Sequence, residues 1–326
     1  MEIPMNRHNL STSNFDKKNL KETLGFLMKL LCVLIALVLF MGVIVMPQYR
    51  YAYTASLCDK VERLNSIDEA KIVLIGNSNL TFGINSEILE EAFDMPVVNM
   101  GLHGSMGNAF HEEMAKVNLH EGDIIVVAHT EYSDHDKITD PVTTWLAVEN
   151  HPQLWQLIRP KDIPDMYFSF PTYAKRALTL WASKEGNEQD LGTVYSRFSF
   201  NEYGDVAFER KTRSYTFTEK SVLVPKVNET CTNRLNELNQ YVSDRGASLV
   251  IAAYPIAYGE YTPPAEEYVQ FQTKLQEALD CPVISDYRDY FIDYDYFYDT
   301  EYHLTNEGAD LRTRQLVYDL EQWMHQ

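Results

Sequence analysis

Two kinds of apolar pattern organise the chain. Residues 30 to 46 run apolar without a charge, and Phe26, Leu27 and Met28 extend that run across Lys29. The total is about 20 residues, the length a helix needs to cross the hydrocarbon layer of a membrane. A cleaved leader carries a shorter apolar region and then a small-x-small site. Here the run closes on Met46-Pro47-Gln48-Tyr49-Arg50. The pattern predicts an uncleaved anchor over 25–46, a tail over 1–24 and a juxtamembrane linker over 47–69.

Beyond the anchor, five short runs at 72–75, 96–99, 124–128, 248–254 and 282–285 are rich in Val and Ile and lack polar alternation. That is the pattern of strands covered on both faces. Helical patterns separate them at 86–93, 231–244 and 265–279, the last opening after Pro263-Pro264. Leu316, Val317, Leu320 and Trp323 mark the apolar face of a final helix. Strand alternating with helix predicts a doubly wound α/β domain with a parallel sheet. Roughly 110 residues part the third strand from the fourth, far more than a loop spans. Residues 136–222 hold Trp145, Trp155, Tyr167, Phe168, Phe170, Tyr173 and Trp181, so they form a folded insertion between domain halves at 70–135 and 223–326. Alternation over 195–210 around Asn201-Glu202-Tyr203-Gly204 predicts a hairpin there.

Charge adds direction. Arg7, Lys17, Lys18, Lys21 and Lys29 precede the span and only Arg50 follows closely, which predicts a cytoplasmic N-terminus and an extracytoplasmic main domain in a single-pass membrane protein. The net charge is −19, and the part beyond the span carries −21. Such a field disfavours nucleic acid as a partner. Cys58, Cys231 and Cys281 lie beyond the span, an odd number that permits at most one internal disulfide. No Cys/His spacing suits a metal, and nothing calls for a cofactor.

In open α/β sheets ligands bind beyond the carboxyl ends of the strands. Four segments should therefore share one rim: Gly76-Asn77-Ser78-Asn79, Asn99-Met100-Gly101-Leu102-His103-Gly104, His129-Thr130-Glu131-Tyr132, and Asp299-Thr300-Glu301-Tyr302-His303-Leu304-Thr305. A serine hydroxyl becomes a nucleophile when a base takes its proton and a third group fixes that base. Ser78 and His303 offer the first two parts, and Thr305 is placed to cap the final helix just after the histidine. Backbone N–H groups of Ser78 and Gly101 offer an oxyanion cradle. Asn77, Asn79, Asn99 and Glu131 are candidate rim residues. His103, His111, His129 and His135 show no pattern and read as structural or solvated.

The layout resembles the SGNH (GDSL-like) hydrolases, whose nucleophile follows the first strand and whose base lies near the C-terminus. Gly76-Asn77-Ser78-Asn79 is similar to their first block, Asn99-Met100-Gly101 to their second, and Asp299 through His303-Leu304-Thr305 to their last. The resemblance covers 70–132 and 225–326. It implies a three-layer α/β/α fold, a metal-free acyl-serine mechanism and ester substrates. With the anchor, the chain is similar to the membrane-anchored branches that include teichoic-acid D-alanylation and alginate O-acetylation proteins, which handle acyl groups of cell-surface polymers.

Two positions depart from that pattern. The family's acid usually stands three residues before its histidine, where this chain has Thr300; Asp299 is the first choice, Glu301 the second, and a dyad held by a backbone carbonyl the third. The third block normally supplies an asparagine to the oxyanion hole, and here Tyr132 or Thr130 must take its place. The leading expectation is a serine esterase or O-acyltransferase acting on acyl esters of surface glycans or polymers. The alternative is a weak or inactive relative, kept as a binding or assembly partner of a multispanning membrane acyltransferase. A phosphate-binding turn at 76–79 ranks third, because no Lys or Arg accompanies it.

Overall fold

The computed structural model describes residues 13–46, 48–149, 151–184 and 191–325, so half of the tail read over 1–24 lies outside the described residues. Helix α1 (Ser13–Leu39) continues into a π-helical stretch, Phe40–Val45. Within them Asn19–Val45 is long and apolar enough to cross a membrane, and its leucines and its valines other than the buried Val45 face outward rather than into the protein.

Next come α2 (Ser56–Ser66), β1 (Ile72–Gly76), α3 (Ser78–Thr81), α4 (Ser86–Phe93), β2 (Val97–Asn99), α5 (Asn108–Met114) and β3 (Ile124–Ala128). The insertion contributes α6 (Pro141–Val148) and α7 (Ile163–Ser183). The second half of the domain adds α8 (Glu229–Ser243), β4 (Ser248–Ile251), β5 (Ile256–Tyr258), α9 (Ala265–Ala278), β6 (Phe291–Asp293) and α10 (Asn306–Met324). The main sheet is parallel throughout, in the order β2-β1-β3-β4.

Alternate strand residues serve opposite faces, the period of a pleated strand. Val73, Ile75, Ile125 and Val127 pack with Leu57 of α2, Phe110 of α5 and Leu235 of α8. Ile72, Leu74, Ile124 and Val126 pack with Leu89 of α4 and with Leu316 and Leu320 of α10. Helices thus cover both faces, which is why the strand runs carry no polar alternation.

Three sequence readings need revision. The apolar run at 248–254 is one strand only as far as Ile251, since Pro255 brings no N–H to a ladder. The chain then joins a separate two-stranded parallel sheet, β5 with β6, which the apolar pattern did not announce. The fifth run, 282–285, makes a single bridge, Val283 with Ile251, held by hydrogen bonds of 2.9 Å on either side. It marks where a fifth strand would extend the order 2-1-3-4 on the far side of β4. The hairpin expected over 195–210 is likewise one bridge, Phe200 with Val206. Its turn holds Gly204 at φ +96°, and a Cβ there would lie 2.4 Å from the Asn99 carbonyl oxygen, so only glycine fits.

The insertion aromatics form a small core. Trp145 stacks on Tyr173 at 5.3 Å and meets Trp155 and Phe170 edge-on. All four cysteines are free, with Cys231 and Cys281 buried.

Candidate active site

In this sheet order the chain runs outward in opposite directions from β1 and β3, and the crevice between their carboxyl ends is where doubly wound folds take ligands. Gly76 ends β1 opposite Ala128 at the end of β3. Ser78 opens α3 immediately beyond, half-buried, and its N–H is among those a helix start leaves without an internal partner.

Ser78 Oγ lies 2.8 Å from His303 Nε2, and His303 Nδ1 lies 2.8 Å from Asp299 Oδ1. The carboxylate accepts at Nδ1, so that nitrogen carries the proton and Nε2 is free to accept from the serine hydroxyl. The spacing of four between acid and base follows from local geometry. The segment folds back on itself, with Phe297 bridged to Leu304 and Tyr298 N–H donating to the His303 carbonyl at 2.8 Å. Thr300, at the position where an acid was looked for, uses its hydroxyl to accept from Tyr302 and His303 N–H, which closes the turn. Glu301 makes no contact with the imidazole among the described hydrogen bonds and stands beside Tyr302. Thr305 Oγ1 then accepts from Gly308 N–H at 3.1 Å and caps α10.

His303 is 6% exposed and lies flat on Phe82, with ring centroids 3.9 Å apart and planes 5° apart. The second carboxylate oxygen of Asp299 accepts from Tyr195 OH at 2.5 Å. Burial pushes the Asp299 carboxyl up, but hydrogen bonds from His303 and Tyr195 and the nearby histidine charge outweigh it and hold the group below the usual carboxylate range. Its stabilisation is therefore full above the ordinary aspartate value and is lost only as pH falls through the lower folded-state value. Tyr195→Phe removes one of the lowering bonds. The Asp299 carboxylate is then protonated at a higher pH than in wild type, so the pH below which any Ser78 reaction fails is expected to rise. A pH profile of Ser78 labelling unchanged from wild type would refute that coupling.

Arg312, fully buried on α10, ties the two halves together. It donates to the Asn79 carbonyl at 2.6 Å, to Asn79 Oδ1 at 2.8 Å and to the Ala253 carbonyl at 3.1 Å. Arg210 of the insertion donates to the Leu304 and Phe82 carbonyls at 3.0 and 3.2 Å. Neither arginine, nor Tyr195 or Phe82, carries a local sequence signal, because each meets the site through contacts distant along the chain.

Several candidate residues sit elsewhere than the rim. Asn79 and Asn99 are fully buried beneath the floor: Asn79 donates to the Ala128 carbonyl at 2.9 Å, and Asn99 to the Leu80 carbonyl and to Asp205. Gly101 N–H is occupied by Asn99 Oδ1 at 3.0 Å, so it is not a free oxyanion donor. Its glycine has another reason, since a Cβ would lie 2.8 Å from Leu80 Cβ and 3.0 Å from the Asn77 carbonyl oxygen. Tyr132 is also displaced from the oxyanion role: it is fully buried against Phe271, with its hydroxyl 3.4 Å from that of Tyr287. Glu131 is exposed.

Asn77 does belong to the crevice. Its Oδ1 accepts from Asn79 N–H and its Nδ2 donates to Thr130 Oγ1 at 2.7 Å, which leaves the threonine proton available. His103, read from sequence as structural or solvated, is exposed beside the site and meets Tyr53 edge-on. Ser105 N–H donates to its Nδ1, which places the proton of the neutral ring on Nε2. Part of the ring is open to solvent, but desolvation of the rest lowers its pKa, with Asp140 opposing and the nearby His303 adding to the lowering, so the ring stays neutral at neutral pH.

Among the described residues no cluster of His, Cys, Asp or Glu is arranged to hold a metal ion. The arrangement is one that can deliver a hydroxyl oxygen as a nucleophile and receive its proton. No protein-family model matches the chain, and no curated protein matches it.

Proposed function

We propose that the protein is a membrane-anchored, extracytoplasmic serine esterase or O-acyltransferase of the SGNH type. The observation that carries this reading is the continuous chain from Ser78 Oγ through both nitrogens of His303 to Asp299, with both contacts at 2.8 Å. In that reaction Ser78 Oγ attacks the acyl carbonyl carbon while its proton passes to His303 Nε2. The tetrahedral oxyanion rests on donors at the β1–β3 crevice, for which Ser78 N–H and the Thr130 hydroxyl are the candidates. Collapse breaks the bond to the leaving oxygen, which takes the proton back from His303 and departs as an alcohol. Water or an acceptor hydroxyl then gives its proton to His303, attacks the acyl-serine and releases Ser78. Asp299 holds the imidazole in the productive tautomer and offsets its charge. The apolar span and the family resemblance favour acyl esters of a surface glycan or polymer as substrate.

A second reading, a non-catalytic binding or assembly partner of a membrane acyltransferase, draws on the occupied Gly101 N–H and the buried Tyr132. A fluorophosphonate probe separates the two. Wild-type full-length protein in detergent is expected to be labelled at Ser78, and Ser78→Ala is expected to escape labelling. Folded wild-type protein that stays unlabelled would sink the enzymatic reading and favour the partner role.

A further inference from the structure

The insertion helix α7 returns to the membrane anchor. Near its middle, Tyr173 OH lies 3.3 Å from the Met46 carbonyl and its ring is 6.4 Å from that of Tyr49. Eight residues later Trp181 meets Phe40 edge-on at 5.7 Å. As α7 advances from 173 to 181 its partners recede from 49 to 40, so the helix runs antiparallel to the end of the anchor. Phe40 is five residues inside the outer end of the span, about 8 Å along a helix axis. The last two turns of α7 therefore stand level with the outermost turns of the membrane-crossing segment.

The surface of α7 suits that level. Met166, Tyr173 and Ala177 face the protein. Beside them Ile163, Tyr167, Pro171, Ala174, Leu178 and Trp181 recur at helical spacing as an apolar stripe, with Tyr167 72%, Leu178 43% and Trp181 41% exposed. On the other flank Tyr49, Thr172, Lys175, Arg176, Thr179 and Leu180 line an open cavity of about 460 Å³. Lys175 and Arg176 form no ion pair among the described residues. Two cations and the Thr172 hydroxyl above a leucine match a phosphate headgroup with an acyl chain below it, while Thr179 donates its own hydroxyl to the Lys175 carbonyl at 2.8 Å. The charge of the rest makes the placement informative. The part beyond the span carries −21, which an anionic bilayer repels, yet Lys175 and Arg176 stand beside Tyr49, just past the end of the anchor. Aromatic and basic side chains at one level are what the membrane interface selects.

We infer that the C-terminal half of α7 enters the headgroup layer of the outer leaflet beside the anchor, and that the Lys175–Arg176 cavity takes the headgroup of an anionic phospholipid. The consequence is a second, non-covalent membrane contact that stops the domain from swinging freely on its linker and holds its attitude to the surface. The inference rests on the span and α7, not on the chemistry at Ser78.

The test uses the full chain in vesicles of phosphatidylcholine brominated high in the acyl chain, where bromine quenches nearby indole. Wild-type emission is expected to fall several-fold more than that of Trp181→Phe, which keeps a ring against Phe40. Leu178→Trp, one turn earlier on the stripe, is expected to add quenchable emission. Moving the bromine to a minor phosphatidylglycerol component should increase quenching in wild type. That preference should drop by about fivefold per cation in Lys175→Gln/Arg176→Gln, the scale for a basic residue at an anionic surface. Ser78 labelling should be unchanged in the double variant, so failure here is separable from failure of the esterase reading. Equal quenching of wild type and Trp181→Phe, or no gain from Leu178→Trp, would mean that α7 faces water or protein and would overturn the inference. A phosphatidylglycerol preference that survives the double variant would remove the headgroup site.

Discussion

Replacing His303 by alanine is expected to lower ester turnover by a factor on the order of 10⁶, the scale on which removing the base of a serine triad disables the whole unit. The size of the effect follows from the geometry. Among the described residues the Ser78 hydroxyl has one hydrogen-bond acceptor, His303 Nε2 at 2.8 Å, and an alcohol that keeps its proton is a poor nucleophile at neutral pH. Asp299→Asn is expected to cost roughly 10⁴, because an amide at that point no longer requires the proton to sit on Nδ1. Steady-state hydrolysis of a short acyl nitrophenyl ester by the full chain in detergent reads both. His303 is almost fully buried on Phe82, so thermal unfolding of each variant is needed beside the rate. A folded His303→Ala protein that keeps more than a tenth of wild-type turnover would show that Ser78 is not activated by this imidazole.

Lys60→Met is expected to destabilise the domain by about 3–5 kcal/mol, the cost of leaving several buried carbonyl groups without their charged donor. Lys60 Nζ is buried and donates to the carbonyls of Asn99 at 2.8 Å, Gly101 at 2.9 Å and Gly204 at 2.6 Å. Burial lowers its pKa from that of an ordinary lysine, and the charges of Asp205 and then Asp59 oppose the shift. Methionine keeps the length of the side chain and none of its donors. Three carbonyls from two distant segments would then face one another without a cation, and the second strand's loop would separate from the insertion turn. For a domain of this size the loss corresponds to a fall in melting temperature of roughly 10 °C. The half-buried pair Lys116–Glu113, at 2.6 Å between neighbours on one helical turn, supplies the contrast: Lys116→Gln should cost about 1 kcal/mol or less. Equal melting temperatures for Lys60→Met and Lys116→Gln would mean that the cradle contributes nothing beyond such a pair.

The sequence by itself determined the parts that depend on neighbours along the chain. Strands covered on both faces must be apolar at every position, so three of the four in the main sheet stand where their runs stand, while the fourth stops early. The N-terminal apolar helix is legible because a helix able to cross a membrane has to be continuously apolar. Ser78 and His303 were legible because each follows directly on an element whose end the pattern marks: the close of β1, and the Thr305 cap of α10.

Tertiary structure decided what depends on approach between remote segments. Asp299 rather than Glu301 meets His303 because Phe297 and Leu304 pair across a turn closed by Thr300, and spacing alone could not distinguish the two acids. Gly101 N–H is turned onto Asn99, and Tyr132 onto Tyr287, by packing that no short motif encodes. Tyr195, Arg210 and Lys60 reach the site or its support across more than 35 residues in every case, so they leave no periodic trace. A local pattern records which face of an element is dry. Which polar atom meets which is fixed only when those dry faces have closed, because a hydrogen bond is set within a few tenths of an ångström and a burial pattern only to within a side chain.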